Sequence, residues 1–332
     1  MKNEVLKTIR YFSFFDYPPN FEEIYTFLGK KATKKRVEEV LGDLERQKRI
    51  KKIEDLNNVT RYMLHVVLKG TVGEYGIKLK IKNEKLKIER YNKRYFFSQK
   101  KLGNWRFRAY VKILSFFPQI KLIGLSGSLA MMNADNDDDI DLFIITAKNR
   151  LFTGRIIALF WAEVLSLRRK AQHRVFESAS PRQGGVPKPL TQKQVFSLTK
   201  DKVCLNLFFD ESDLVVPEFK RSEYVAHEVL QMKPIVNKDN IYERFLKANS
   251  WVFKIFPNAQ TVLKLKIENL KFNENFKLKI KNFGDWVETK LKKFQLNFIN
   301  RHKTSEIITP TQLWFHPDDF KKKLGKLNSF YE

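Results

Sequence analysis

Two stretches hold residue types that can do chemistry together: residues 122–130 (LIGLSGSLA) and 137–146 (DDDIDLFIIT). The first begins as an apolar strand and breaks at Ser126, Gly127 and Ser128. Gly127 lets the backbone turn tightly or approach a ligand closely. Leu129, Ala130, Met131 and Met132 then suit a helix with the serine hydroxyls at its start. Free N–H groups at a helix start, with the dipole behind them, favour a phosphate. The second stretch is a strand, Ile140 to Ile145, entered through a run of acids. Asp139 and Asp141 stand two apart, so on a strand both carboxylates point to one face. Paired carboxylates at that spacing suit a hard divalent cation such as Mg²⁺, which takes oxygen ligands, substrate phosphates among them.

An apolar strand, Gly-Ser, a short helix and then Asp-x-Asp on the next strand is the signature of one known family. Here the parts are Gly127-Ser128 and Asp139-Ile140-Asp141. In this order the chain resembles the nucleotidyltransferase superfamily of DNA polymerase β, over about its middle third. The resemblance implies an α+β or α/β core with a small mixed sheet. It implies that Ser126, Gly127 and Ser128 hold the nucleotide and that Asp139 and Asp141 are catalytic, binding Mg²⁺ or Mn²⁺. The substrate is then an NTP, with ATP the first choice. The activity is transfer of a nucleoside monophosphate to a hydroxyl that the sequence does not identify.

The superfamily places a third carboxylate on a later strand, where it helps hold a second metal and prepares the attacking hydroxyl. The matching strand here is residues 202–210 (KVCLNLFFD). Alternation along it sets Cys204, Asn206 and Phe208 against Val203, Leu205 and Leu207, which puts Asn206 at the third position. An amide cannot act as a base and is a weaker metal ligand than a carboxylate. Asp210, at the strand end, is the substitute from a displaced site. The departure leaves open an alternative, a nucleic-acid-binding regulator whose core senses nucleotide or is inactive.

These residues need a scaffold, and the chain supplies one in pieces. Residues 1–67 hold three short helical patterns, over 3–15, Phe21 to Leu28 and Lys34 to Gln47. Two strand-like pieces follow, Ile50 to Ile53 and Arg61 to Leu64. This is the order of a winged helix-turn-helix, with Lys34, Lys35 and Arg36 at the start of the recognition helix, though Glu38, Glu39, Asp43 and Glu45 on the same helix leave a protein-binding module as the alternative. Asn20 and Thr33 are helix caps, and Pro18 and Pro19 end the first helix. Residues 68–118 form a basic helical linker in which Lys78 to Lys101 interleave with Tyr91, Tyr95, Phe96 and Phe97, a pattern open to phosphate contacts and base stacking or to simple packing. The nucleotidyltransferase core spans 119–214, with an apolar helix from Leu151 to Leu167 and a long excursion over 171–199. Residues 215–332 read as a C-terminal helical region, with helices at Tyr224–Met232, Tyr242–Phe256, Leu263–Ile280 and Phe283–Arg301, and a last basic helix beyond Asp319.

The 332 residues carry a net charge of +26, which attracts polyanions: RNA or DNA is one expectation, an anionic membrane surface another, and a generally Lys-rich composition with no specific partner a third. The single cysteine, Cys204, excludes a disulfide framework and a cysteine-only zinc site, and its apolar strand suggests a buried small residue. His227 with Glu228 lacks the second histidine of a zincin helix, because position 231 is Gln. His227 reads as a half-buried histidine or a proton carrier in the cleft. No apolar run reaches bilayer length and Glu4 and Arg10 interrupt any leader pattern, so the expectation is a cytoplasmic protein without a membrane partner.

Overall fold

A computed structural model describes residues 1–65, 74–168, 201–262, 282–301 and 306–315. The excursion over 171–199, the helix over 263–280 and the helix beyond Asp319 lie outside the described residues. In chain order the elements begin with helices α1 (Lys2–Phe14), α2 (Phe21–Thr26) and α3 (Lys34–Arg46), then strands β1 (Ile50–Glu54) and β2 (Thr60–Leu64). Helices α4 (Glu74–Gly103) and α5 (Trp105–Phe116) lead to β3 (Ile120–Leu125), α6 (Gly127–Ala130), β4 (Ile140–Thr146), α7 (Leu151–Val164) and β5 (Val203–Asp210). The remainder is α8 (Glu223–Gln231), β6 (Lys233–Asn237), α9 (Ile241–Ala248), α10 (Val252–Ile255), α11 (Asn282–Asn300), β7 (Ile307–Ile308) and β8 (Gln312–Trp314). No helix among the described residues is long and apolar enough to cross a membrane.

The chain divides into two compact units. The first comprises Met1–Ser98, Phe219–Leu230 and Asn249–Lys271. Its core is built from helical periodicity. Val5, Leu6, Ile9 and Phe12 of α1 and Val37, Val40, Leu41 and Leu44 of α3 are all buried. The caps fall where side-chain chemistry puts them. Asn20 Oδ1 accepts from the Glu23 N–H at 2.9 Å and Glu23 Oε2 accepts from the Asn20 N–H at 2.8 Å, a reciprocal capping box. β1 and β2 pair antiparallel from Ile50↔Leu64 to Glu54↔Thr60. Asp55 closes their turn, accepting from the N–H groups of Asn57 and Val59 and from Arg61 Nε at 2.6 Å.

His227 belongs to this unit and is 1% exposed. Its ring stacks on Tyr11 at 3.7 Å between centroids and on Phe27 at 4.4 Å, with the Phe256 ring edge-on at 4.6 Å. Burial holds the imidazole well below its ordinary pKa, and the Lys7 ammonium adds to the effect. The imidazole is therefore neutral in the folded chain, whereas the unfolded chain takes up its proton near pH 6.5. Protonation therefore favours unfolding: the stabilisation is present above about pH 6.5 and declines as pH falls below it, by up to about 1.4 kcal/mol per pH unit. Urea unfolding of the full chain between pH 7 and 5 is expected to show this slope, and His227→Phe is expected to flatten it. Equal slopes in the two proteins would contradict the assignment.

The second unit comprises Gln99–Glu218, Gln231–Ala248 and Phe272–Glu332. It is a mixed α/β structure around a six-stranded sheet of order β6-β3-β4-β5-β8-β7. Only β4 and β5 run parallel; the other neighbours pair antiparallel. Ile140, Leu142 and Ile144 of β4 pack with Phe107, Tyr110 and Leu114 of α5 and Leu151, Phe152 and Ala158 of α7 in one core. On the opposite face Phe143 meets Phe209 and the Phe245 ring of α9, both at 5.1 Å. Alternation along β4 therefore fixes Asp141 on the Phe143 face, away from α5 and α7.

Residues 215–332 also supply strands. Pro234 lies in β6, an edge strand, where a missing N–H leaves no ladder bond unmade. The same proline reads as a helix end in sequence. The segment 242–256, continuous in pattern, divides into α9 and α10. Helix α11 is anchored by Glu288, 8% exposed, whose carboxylate accepts from the N–H groups of Phe152 at 2.7 Å and Thr153 at 2.8 Å. Those are orphan donors of the first turn of α7, so a carboxylate there offsets both the unmade bonds and the dipole.

Candidate functional site

β3 delivers the chain to Ser126, and the Ser126 N–H donates to the Asp141 carbonyl at 3.1 Å. Gly127 follows with φ +60°, in the left-handed region. A Cβ placed on Gly127 would lie 2.6 Å from Asp141 Oδ2, so the turn backbone rests directly against that carboxylate. Ser128 Oγ donates to Asp138 Oδ2 at 2.9 Å, and the Asp135 N–H donates to the same oxygen at 2.9 Å. The Ser-Gly-Ser turn and the acidic entry to β4 thus form one hydrogen-bonded unit.

The carboxylates of Asp139 and Asp141 come together with the thiol of Cys204, one ligand atom from each lying within 4.8 Å of the others. The register explains why. Asp141 pairs with Cys204 across the parallel β4–β5 ladder. The pairing then jumps from Asp141↔Cys204 to Phe143↔Leu207, so three residues of β5 span two of β4. This bulge breaks the alternation read from the sequence: Phe208 joins Val203 and Leu205 on the core side facing α7. Asn206 stays beside the site, its Nδ2 donating to Cys204 Sγ at 2.6 Å.

Asp210 is held elsewhere. It pairs with Thr146, five residues along β4 from Asp141, or about 17 Å at strand rise. Its carboxylate accepts from the Ser212 N–H at 2.9 Å and the Arg150 N–H at 3.3 Å, fixing the turn after β5 and the entry to α7. His227 lies in the aromatic core of the first unit, as above.

Lys101 also serves the site. It is 2% exposed, and its Nζ donates to the carbonyls of Asn136 at 2.9 Å and Asp138 at 2.7 Å and to Asp201 Oδ1 at 3.0 Å. One ammonium therefore ties the loop entering β4 to the residue just ahead of β5, the two strands that carry the ligand atoms. In sequence Lys101 is one cation among many. The missing signal was its position at the buried end of α4, which only the tertiary fold defines. Lys101→Met leaves two carbonyls and a carboxylate, all half-buried, without this donor; a fully buried group so orphaned costs about 1–3 kcal/mol, and water takes up part of that here. A fall in stability of about 2–4 kcal/mol is expected in thermal or denaturant unfolding, with weakened divalent-ion binding. Unchanged values in both would show that Lys101 positions nothing.

No family model, no curated protein and no solved structure matches this chain. The donor set fits a divalent cation: two half-buried carboxylates and a thiol converge, and a glycine leaves open the space that a Cβ would fill.

Proposed function

We propose that the chain transfers a nucleoside monophosphate from an NTP, ATP in the first instance, to an acceptor hydroxyl, with a divalent cation held by Asp139 and Asp141. The observation that carries this is the contact between the Gly127 turn and the Asp141 carboxylate. That close approach supports the reading, because a phosphate-holding turn and a cation-holding carboxylate pair can act on one nucleotide only as neighbours. On this proposal the second unit is a nucleotidyltransferase core and the first a winged helix.

In the proposed reaction the acceptor oxygen attacks the α-phosphorus, its bond to the bridging oxygen breaks, pyrophosphate leaves, and the hydroxyl proton passes to water. Gly127 and Ser128 would hold the β- and γ-phosphates through their backbone N–H groups, with the Ser126 hydroxyl beside them; the Ser126 N–H stays on the Asp141 carbonyl, and the Ser128 hydroxyl would have to turn from Asp138 to reach a phosphate. Asp139 and Asp141 hold the cation, which when bound supplies positive charge to the phosphates. Lys101 keeps the acidic loop in place. Incubating the protein with α-labelled NTPs and a panel of RNA, DNA and protein acceptors tests the proposal. Label on an acceptor, lost in Asp139→Ala, supports it; no transfer with any NTP, ion or acceptor contradicts it.

One observation favours the second function, a nucleotide-sensing regulator. The residues of β5 beside the aspartate pair are Cys204 and Asn206, so no carboxylate there takes the acceptor's proton. That function predicts NTP binding without turnover. DNA recognition through α3 is weakened by neighbouring acids, since Lys34 pairs with Glu22 of α2 and Arg36 with Glu39 of α3.

A further inference from the structure

Cys204 is 3% exposed and lies at the register position beside Asp141 on the neighbouring parallel strand. Its sulfur shares a span of 4.8 Å with one oxygen of Asp139 and one of Asp141. An ion bound about 2.2 Å from oxygen and about 2.3 Å from sulfur permits ligand atoms up to about 4.5 Å apart. Small side-chain rotations therefore close the three around one ion. Two carboxylates alone suit Mg²⁺. A sulfur ligand shifts the preference, because thiolates favour softer, borderline ions. The Asn206 amide at 2.6 Å from Sγ is an outer-shell donor of the kind that orients a metal-binding sulfur.

We infer that Cys204 is the third protein ligand beside Asp139 and Asp141, and that the site takes a borderline divalent ion, of the Zn²⁺ or Co²⁺ kind, in preference to Mg²⁺. This rests on the proposal that the aspartate pair holds a cation. On binding, the thiol S–H bond breaks, its proton passes to water, and the sulfur lone pair forms the bond to the ion; nothing is oxidised or reduced.

Anaerobic titration of the full chain with Co²⁺, followed by the near-ultraviolet sulfur-to-cobalt charge-transfer band, tests the inference without reference to activity. Mg²⁺ affinity is measured in parallel by calorimetry. The wild-type protein is expected to develop the band to a one-to-one endpoint. Cys204→Ser is expected to lose the band and to bind Co²⁺ at least about tenfold more weakly, with Mg²⁺ affinity changed by less than about threefold. Cys204→Ala is the second variant, in case a buried hydroxyl disturbs β5, and it is expected to behave alike. Co²⁺ binding without the band, or undiminished Co²⁺ affinity in both variants, overturns the inference while leaving the aspartate pair standing as an oxygen site. Absence of binding by either ion to the wild-type protein overturns both.

Discussion

Asp139→Ala and Asp141→Ala are each expected to abolish divalent-dependent nucleotide binding while leaving the fold intact. Both side chains are half-buried and stand with several other carboxylates on one loop and strand. The loss is expected to exceed the roughly 10–100-fold that removal of an outer-shell partner costs, because these side chains would touch the ion itself. The fold should survive for two reasons. The Ser126–Asp141 bond is a backbone bond and remains in the alanine variant. The packing of β4 comes from Ile140, Leu142 and Ile144, which are untouched. Removing one of several like charges relieves repulsion, so thermal stability in the absence of ions should hold or rise. Calorimetric titration with ATP and Mg²⁺ or Co²⁺, alongside thermal unfolding, checks both halves. Undiminished binding in both variants would remove the metal assignment.

Gly127→Val is expected to have the second-largest effect, and on stability as well as binding. A valine at φ +60° is strained by about 1–3 kcal/mol, since the left-handed region crowds a β-branched side chain. The new Cβ also lies 2.6 Å from Asp141 Oδ2, so the carboxylate must leave its position. The two causes separate in Gly127→Asn. Asparagine visits the left-handed region more readily, yet it still carries the Cβ that displaces Asp141. Unfolding measurements should therefore show Gly127→Asn more stable than Gly127→Val, while both lose nucleotide binding. If either variant binds nucleotide as the wild-type protein does, the close approach of turn and carboxylate has no functional meaning.

How much of this the sequence discloses depends on the range of the interaction. Local signals are legible. Asn20 caps α2 as its place before that helix suggests, and the carboxylates of Asp139, just ahead of β4, and Asp141, within it, come near one another as residues two apart on extended chain can. Gly127 takes the left-handed turn expected of a glycine between two serines. Signals that depend on register are not legible. Alternation along β5 points to Asn206, but the ladder sets Cys204 beside Asp141 and a bulge shifts every later residue to the other parity. Nothing in the residues 202–210 announces that bulge. The strand character of residues 233–237 is likewise hidden, because Pro234 is tolerated only at an edge and edge status follows from the order of the whole sheet. Lys101 and Glu288 are ordinary helical charges in sequence. Their roles come from partners 35–100 residues away for Lys101 and 135–136 away for Glu288.

On the proposed function, the Gly127 turn and the Asp139–Asp141 pair together receive a nucleotide with a divalent ion. Equilibrium titration of the wild-type protein with an NTP is the most direct test, run with Mg²⁺, with Mn²⁺, with Co²⁺ and with a chelator. One-to-one binding that appears only when a divalent ion is present is expected. Binding of equal strength in the chelator, or none with any of the ions, would contradict it.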